Sequence, residues 1–484
     1  MKNRDRPNIL IFLMDTQPVR NMTPYGFPKD TTPNIQRIAD EGVVYENHFV
    51  TGSWTVPSHA SLFTGKYQSG HGAGVSYEFL SRDMPTMAEV LARAGYQTVA
   101  FSNNGWVNQD ETDICRGFEH YTLVRRRGLK GQTVNVGPED KLILEAGEDS
   151  GSAYTIRLVQ DWFERSYNKE KPFFMFINCT EPHLRVWAPQ PFRRRFLLEG
   201  VSEKEALEVN QDVHAERMGL VENRPDGHMT ERDWEILKSL YDGETSCLDH
   251  RMGILFDYME SKDLLDETLL IITSDHGDLL DRRGYMGHHL ALFDDLIHTP
   301  LIVRCPSLLP KGKRIKHLVQ ICDWLPTFID LLGIEDPTVN REVQGVSLVP
   351  TWDDEPVRDF VVAEYQKPLQ TIERALRRDP EFDYRPWLRR IKTIRTLEWK
   401  YIWYSDGKDM IFNIRSDPGE RENLIEEERA KAKELRRQLE RFLLTIERRD
   451  YGDKLRNHSF RKVRWENVHR MKAWGIYREL RFPT

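Results

Sequence analysis

Residues 9–14 read Ile-Leu-Ile-Phe-Leu-Met, and this apolar run stops at Asp15. Residues 269–272, Leu-Leu-Ile-Ile, repeat the pattern and close on Thr273-Ser274-Asp275-His276-Gly277-Asp278. A strand without polar alternation must be covered on both faces, as in a parallel sheet between layers of helix. Residues 172–178 predict another strand, followed by Cys179-Thr180-Glu181-Pro182-His183. Residues 43–50, 95–101 and 301–304 predict more. Between them, residues 35–41, 85–94, 152–166 and 233–260 read as helices, and Asp323-Trp324-Leu325-Pro326-Thr327 opens a further one. The expected fold class is α/β.

Open α/β sheets bind ligands at the carboxyl ends of their strands. That is where Asp15, His183, Asp275 and His276 stand in this reading. A lone Asp in such a place also serves as a turn or cap, and a lone His as a packed loop residue. The stretch 51–66, Thr-Gly-Ser-Trp-Thr-Val-Pro-Ser-His-Ala-Ser-Leu-Phe-Thr-Gly-Lys, follows the strand at 43–50. Pro57 suits a helix start, and residues 62–66 read as the first turns of that helix. Thr55 then lies at a strand-to-helix junction, where free N–H groups favour an anion. Its hydroxyl could bind a metal, attack an electrophile or do both; equally, it could cap the helix.

Composition narrows the class. Asp and Glu number 76 against 69 Lys and Arg, a net charge of −7, so no global basic field points to nucleic acid. The N-terminal apolar run is too short to span a membrane and lacks a cleavage site. Five scattered cysteines (115, 179, 247, 305 and 322) argue for reduced thiols and against a disulfide framework. A cytoplasmic protein is expected. Residues 107–150 are irregular and charged and are expected to cover the site entrance, and residues 184–232 read as an insertion that shapes specificity. Residues 399–404 and 410–414 predict a hairpin, and residues 425–449 a charged amphipathic helix. The expected division is 1–375 for the catalytic part, 376–450 for a C-terminal subdomain and 451–484 for a basic, aromatic tail. That tail suits packing on the body or on a second copy in a homo-oligomer.

The stretch 51–66 resembles the signature of the sulfatases, part of the alkaline phosphatase superfamily. Pro57, Ser58, Thr64, Gly65 and Lys66 match. Thr55 stands where sulfatases carry the Cys or Ser that becomes formylglycine, and His59 where they carry Arg. No Cys lies within the segment, so no formylglycine can form there. Asp15-Thr16 matches the family's first metal-binding strand end, with one carboxylate of the usual pair missing. Ser274-Asp275-His276-Gly277 matches the second. Pro182-His183 matches a pair whose His contacts the leaving-group oxygen. Ser102-Asn103-Asn104-Gly105-Trp106 replaces Lys-Trp-His, and Asn103 or Asn104 could donate to an anion or form a turn. Gly284 to His289 replaces a Gly-Lys element, with His288 offered in place of the Lys and His289 as the lesser alternative. Asp417-Pro418-Gly419-Glu420 and Asn423-Leu424 match the closing motif.

The resemblance spans residues 7–425. It implies a large mixed sheet sandwiched by helices, with a smaller C-terminal α+β subdomain holding a short antiparallel sheet. It implies a divalent metal on Asp15, Thr55, Asp275 and His276. The His and the missing Asp favour Mn²⁺ or Zn²⁺, with Ca²⁺ or Mg²⁺ as alternatives. Thr55 is the expected nucleophile and His59 its support, while His183 and His288 assist the leaving group or bind the anion; His288 could instead complete a second metal site. A Thr at the nucleophile position looks like the phosphodiesterases, the phosphonate monoester hydrolases in part, and the phosphoglycerol and phosphoethanolamine transferases. The expected substrate is a small anionic ester, phosphoric or phosphonic first. A sulfatase without formylglycine and a non-catalytic binding protein are the alternatives.

Overall fold

The structure is a computed structural model and describes residues 6–74, 79–124, 151–184, 186–216, 229–282, 285–366, 372 and 384–446. The tail beyond 446, and with it the expected oligomer contact, lies outside the described residues.

Fourteen strands are numbered in chain order among these residues. The large sheet contains β1 (Asn8–Met14), β2 (Val43–Phe49), β3 (Gln97–Ser102), β4 (His120–Leu123), β5 (Phe173–Cys179) and β6 (Thr268–Ser274). A two-stranded hairpin, β7 (Leu279–Arg282) and β8 (Tyr285–Gly287), stands apart. The sheet is completed by β9 (Leu301–Arg304) and β10 (Lys313–Gln320), in the order β10-β2-β9-β6-β1-β5-β3-β4. Neighbours run parallel except at β9, which is antiparallel to both β2 and β6. The sheet is therefore mixed.

Both faces are covered. Ile9, Ile11 and Leu13 of β1 pack with helices Thr55–Thr64, Met87–Arg93 and Trp324–Leu332. Leu10, Phe12 and Met14 pack with helices Pro33–Asp40, Ser152–Arg165 and Glu231–Ser261. The period of two in β1 thus divides two cores, each closed by apolar residues, which is why the strand carries no polar alternation.

The second sheet is antiparallel, β11 (Val361–Tyr365), β12 (Ile391–Arg395), β13 (Trp399–Tyr404) and β14 (Met410–Asn413). Helix Arg429–Thr445 covers it with Ala432, Leu435, Leu439 and Leu443, spaced three and four apart as one helical face requires. The first strand of this sheet lies ahead of the sequence division at 375. No helix among the described residues is long and apolar enough to cross a membrane.

One expectation is corrected. The helix after β2 does not begin at residue 62; it runs Thr55–Thr64 and stops at Gly65, whose φ of 65° gives a left-handed cap. Pro57 falls in its first turn, where the backbone lacks an N–H partner in any case. All ten residues are buried, so no amphipathic period marked the helix. Thr55 is its first residue, and Trp54 occupies the cap position without a side-chain bond.

Candidate active site

The register of the central strands builds the site. Met14 pairs with both Cys179 and Ser274, and Ser102 pairs with Asn178. The residues that follow, Asp15, Thr180, Asp275 and Asn103, therefore emerge along one carboxyl edge.

There, one ligand atom from each of Asp15, Asp275 and His276 lies within 4.8 Å of the other two, all of them buried. His276 Nε2 is 3.6 Å from Asp15 Oδ1 and 3.4 Å from Asp275 Oδ2. His276 Nδ1 donates to the Gly277 carbonyl at 3.0 Å. A carbonyl only accepts, so the neutral ring carries its proton on Nδ1 and presents an unprotonated Nε2 to the carboxylates. Burial pulls the His276 pKa down to about 4, against the Gly277 bond. Burial also pushes the Asp275 carboxyl up to about 6, against the opposing effect of His59. Asp275 Oδ2 and His276 Nε2 have no hydrogen-bond partner. Buried acceptors facing one another without a donor are costly. A cation between them removes that cost, so the residues present fit a divalent metal.

Backbone geometry supports the group. Thr16 has a φ of 64°, unusual for a β-branched residue, and its N–H donates to Asp275 Oδ1 at 3.3 Å. Its carbonyl accepts the buried Tyr241 hydroxyl. Thr16 thus supplies backbone support where the resemblance placed a second carboxylate. Asn104 Nδ2 donates to Asp15 Oδ2 at 2.6 Å. Asn103 donates to Glu181 and accepts from Thr180. The expected anion donor at 103–104 is therefore directed at Asp15 and at the loop before His183. Neither Tyr241, inside a long helix, nor the turn at Thr16 carried a signal in the sequence.

Helix Thr55–Thr64 meets the same carboxylate. Ser58 Oγ donates to the Asp275 carbonyl at 2.5 Å. His59 is fully buried; its Nδ1 donates to the Thr55 carbonyl at 2.8 Å and stands 3.6 Å from Asp275 Oδ2. Burial lowers the His59 pKa, with Asp275 opposing, so a neutral ring replaces the family's permanent cation. Thr55 opens the helix with 4 % of its surface exposed.

The remaining histidines form a column of rings. His288 lies 4.4 Å from His276 between centroids, and His183 lies 5.1 Å from His288. His288 Nδ1 is 3.5 Å from Asp278 Oδ1, and His183 Nδ1 donates to the Leu184 carbonyl at 2.6 Å. The structure therefore brings His183 and His288 to the carboxylate group. Asp278, a buried neighbour of His288, was not singled out from the sequence.

The model of the sulfatase family matches residues 7–334, and that of the N-sulphoglucosamine sulphohydrolase C-terminal region matches residues 283–449. Among curated relatives, the chain is 24% identical to N-acetylglucosamine-6-O-sulfatase of Bacteroides thetaiotaomicron, over 90% of this chain and 86% of that protein. It is 27% identical to choline-sulfatase of Rhizobium meliloti, over 88% and 83%. Among solved structures it resembles phosphonate monoester hydrolase of Agrobacterium radiobacter, with a TM-score of 0.70 at 20% identity over 91% of this chain and 96% of that one. Members of the matched family bind a divalent metal, in keeping with the buried Asp15, Asp275 and His276. A family match over more than half the chain, on a fold of the same architecture, leads to one conclusion: the chain belongs to the sulfatase family of ester hydrolases.

Proposed function

We propose that the chain is a metal-dependent hydrolase of phosphoric diesters or phosphonate monoesters that uses Thr55 as nucleophile. The observation that carries this reading is Thr55 itself, the first residue of a helix whose next turn touches Asp275. A formylglycine hydrate has two hydroxyls, one to take the group and one to expel it. Thr55 has one, so its ester must be opened by attack on the central atom, which phosphorus accepts more readily than sulfur.

A divalent cation on Asp15, Asp275, His276 and the Thr55 hydroxyl would neutralise the anion's oxygens and acidify that hydroxyl. The donor set, one imidazole with two carboxylates and a hydroxyl, favours Mn²⁺ or Zn²⁺ over Ca²⁺ or Mg²⁺. Thr55 Oγ1 attacks phosphorus in line, its proton passing to solvent water, and the bond to the leaving oxygen breaks. His183 or His288 gives that oxygen a proton. Water then opens the threonyl ester, or an acceptor alcohol does so in a transfer reaction. His59 holds the first turn through the Thr55 carbonyl.

The names of the curated relatives favour a second reading, hydrolysis of sulfuric esters without formylglycine. The deciding experiment strips the protein and reloads it with Mn²⁺, Zn²⁺ or Ca²⁺. Each form is assayed on the p-nitrophenyl sulfate, phosphate monoester, phosphodiester and phosphonate monoester. Turnover of the phosphorus esters well above the sulfate is expected. Preference for the sulfate would overturn the argument from Thr55.

A further inference from the structure

We propose that Asn103 and Glu181 form a buried positioning pair that aims His183 at the leaving oxygen of the ester. The inference rests on the reading of Thr55 as nucleophile with a histidine as the group that protonates the leaving oxygen, and it assigns that step to His183.

His183 ends a tight turn. Its N–H donates to the Thr180 carbonyl at 2.8 Å, with Glu181 and Pro182 at the two corners. Its Nδ1 donates to the Leu184 carbonyl at 2.6 Å, so the proton given to substrate comes from Nε2. In the column of rings His183 follows His288, and it is the more open of the two, half-buried where His288 is 9 % exposed. The leaving oxygen carries the organic half outward, so the more open ring is the one that meets it.

Two side chains hold this turn from outside. Asn103 follows β3, and its N–H donates to the Asn178 carbonyl at the end of β5 at 3.1 Å. Its Oδ1 accepts the Thr180 hydroxyl at 2.8 Å and the Thr180 N–H as well. Its Nδ2 donates to Glu181 Oε2 at 3.0 Å. Glu181 Oε1 accepts the Ser152 N–H at 3.0 Å. Ser152 opens helix Ser152–Arg165, whose cap residue is Gly151 and has no side chain to offer. The Glu181 carboxylate thus meets an N–H without a helical partner at the positive end of the helix. That helix is itself fixed, because Ile156, Val159, Trp162 and Phe163 share one core with Phe12 and Ile177. Gly151 also leaves room for the pair, since a Cβ there would come within 3.2 Å of Asn103 Nδ2.

Asn103, Glu181 and Ser152 are all buried, so water competes little for these bonds. The pair acts through His183 and not on the substrate. Its chemistry is specific: Glu181 offers two acceptors to two donors. A glutamine has the same shape but must turn its own amide donor on the Ser152 N–H or on Asn103 Nδ2. Aspartate at 103 in the same chain would reverse the second bond and give each of these donors an acceptor again. A misdirected acid weakens only the transition state in which the proton is needed.

The test compares kcat/KM of the full chain, loaded with Mn²⁺, on phenyl methylphosphonate and p-nitrophenyl methylphosphonate. The two esters have nearly the same shape, but phenolate needs a proton on departure far more than p-nitrophenolate does. His183→Ala should cost about 100-fold on the phenyl ester and about three-fold or less on the nitrophenyl ester. Glu181→Gln should show the same selective pattern, with about a ten-fold loss on the phenyl ester. Asn103→Asp combined with Glu181→Gln should recover the phenyl ester to within about three-fold of the native protein. Metal content and circular dichroism accompany each variant. An equal loss on both esters in Glu181→Gln, no loss at all, or no recovery in the double variant would overturn the inference. Unselective behaviour of His183→Ala would overturn it by removing His183 as the acid. Absence of turnover of both esters by the native protein would instead overturn the functional reading on which the inference rests.

Discussion

Lys400 of the small sheet reaches Asp294 of the large domain, Nζ to Oδ1 at 2.7 Å, with the lysine side chain wholly buried. The same ammonium lies 2.7 Å from Glu420 Oε1, and Arg395 meets Asp294 Oδ2 at 3.2 Å. Asp294 opens the short helix that follows the His288–His289 loop, so this charge cluster ties the segment after that loop to the small sheet. Burial works to raise the Asp294 pKa, but Lys400 and then Arg395 outweigh it and hold the carboxyl well below the usual range.

Lys400→Met should destabilise the fold by about 3–5 kcal/mol, because it leaves buried carboxylates short of their cation. A depressed carboxyl contributes stability that is present above its unfolded pKa of about 4 and is lost as pH falls through the folded one. Denaturant unfolding at pH 7 and pH 3 checks both points. The native protein should lose more stability across that interval than the variant does.

Thr55→Ala should abolish turnover, a loss on the order of 10⁴-fold or more, while keeping the fold and most of the metal. Thr55→Ser should retain measurable activity, since it keeps a hydroxyl on the same helix position. Steady-state kinetics beside metal content per chain provides the readout. Unchanged activity in the alanine variant would exclude Thr55 as nucleophile.

Asn104→Ala should weaken metal binding by about 10–100-fold, as expected for a group that orients a ligand. The bond at stake is the 2.6 Å contact from Asn104 Nδ2 to Asp15 Oδ2. Competition with a chelator of known affinity measures the effect. Circular dichroism should show an intact fold.

In the metal-free protein Asp275 should contribute stability that falls as pH rises, while His276, held down to about 4 by burial, contributes the opposite slope. Asp275 is pushed up to about 6 by burial, against His59. A raised carboxyl contributes stability that is fully present below the unfolded pKa of about 4 and is lost as pH rises through the folded one. The Asp275 share is on the order of 2 kcal/mol between pH 4 and pH 8, so the metal-free Asp275→Asn variant should gain stability with rising pH more steeply than the native protein. Saturating Mn²⁺ or Zn²⁺ should raise the native protein's stability by mass action, most at the higher pH, where the ligands bind no protons. Thermal unfolding of the stripped and loaded forms at both pH values is the measurement.

The sequence alone determined the strands and what ends them. An unbroken apolar run is a local signal, and it placed Asp15, Asp275 and His276 at strand ends before any pairing was known. The same holds for the hairpin β13–β14, whose turn at Asp406-Gly407 sits between two short strands. The start of the helix after β2 was not legible, because Thr55–Thr64 is buried on every side and shows no helical stripe.

Tertiary structure decided what those residues meet. The parallel register of β1 with β5 and β6 set three strand ends level and made separate acids into one ligand group. It turned Asn104 onto Asp15 and stacked His288 on His276. It also buried Lys400 against carboxylates about 20 and 106 positions away in the chain. The physical reason is range. Periodicity and turn chemistry act over a few residues, whereas register and the pairing of buried charges depend on which distant segments share one core.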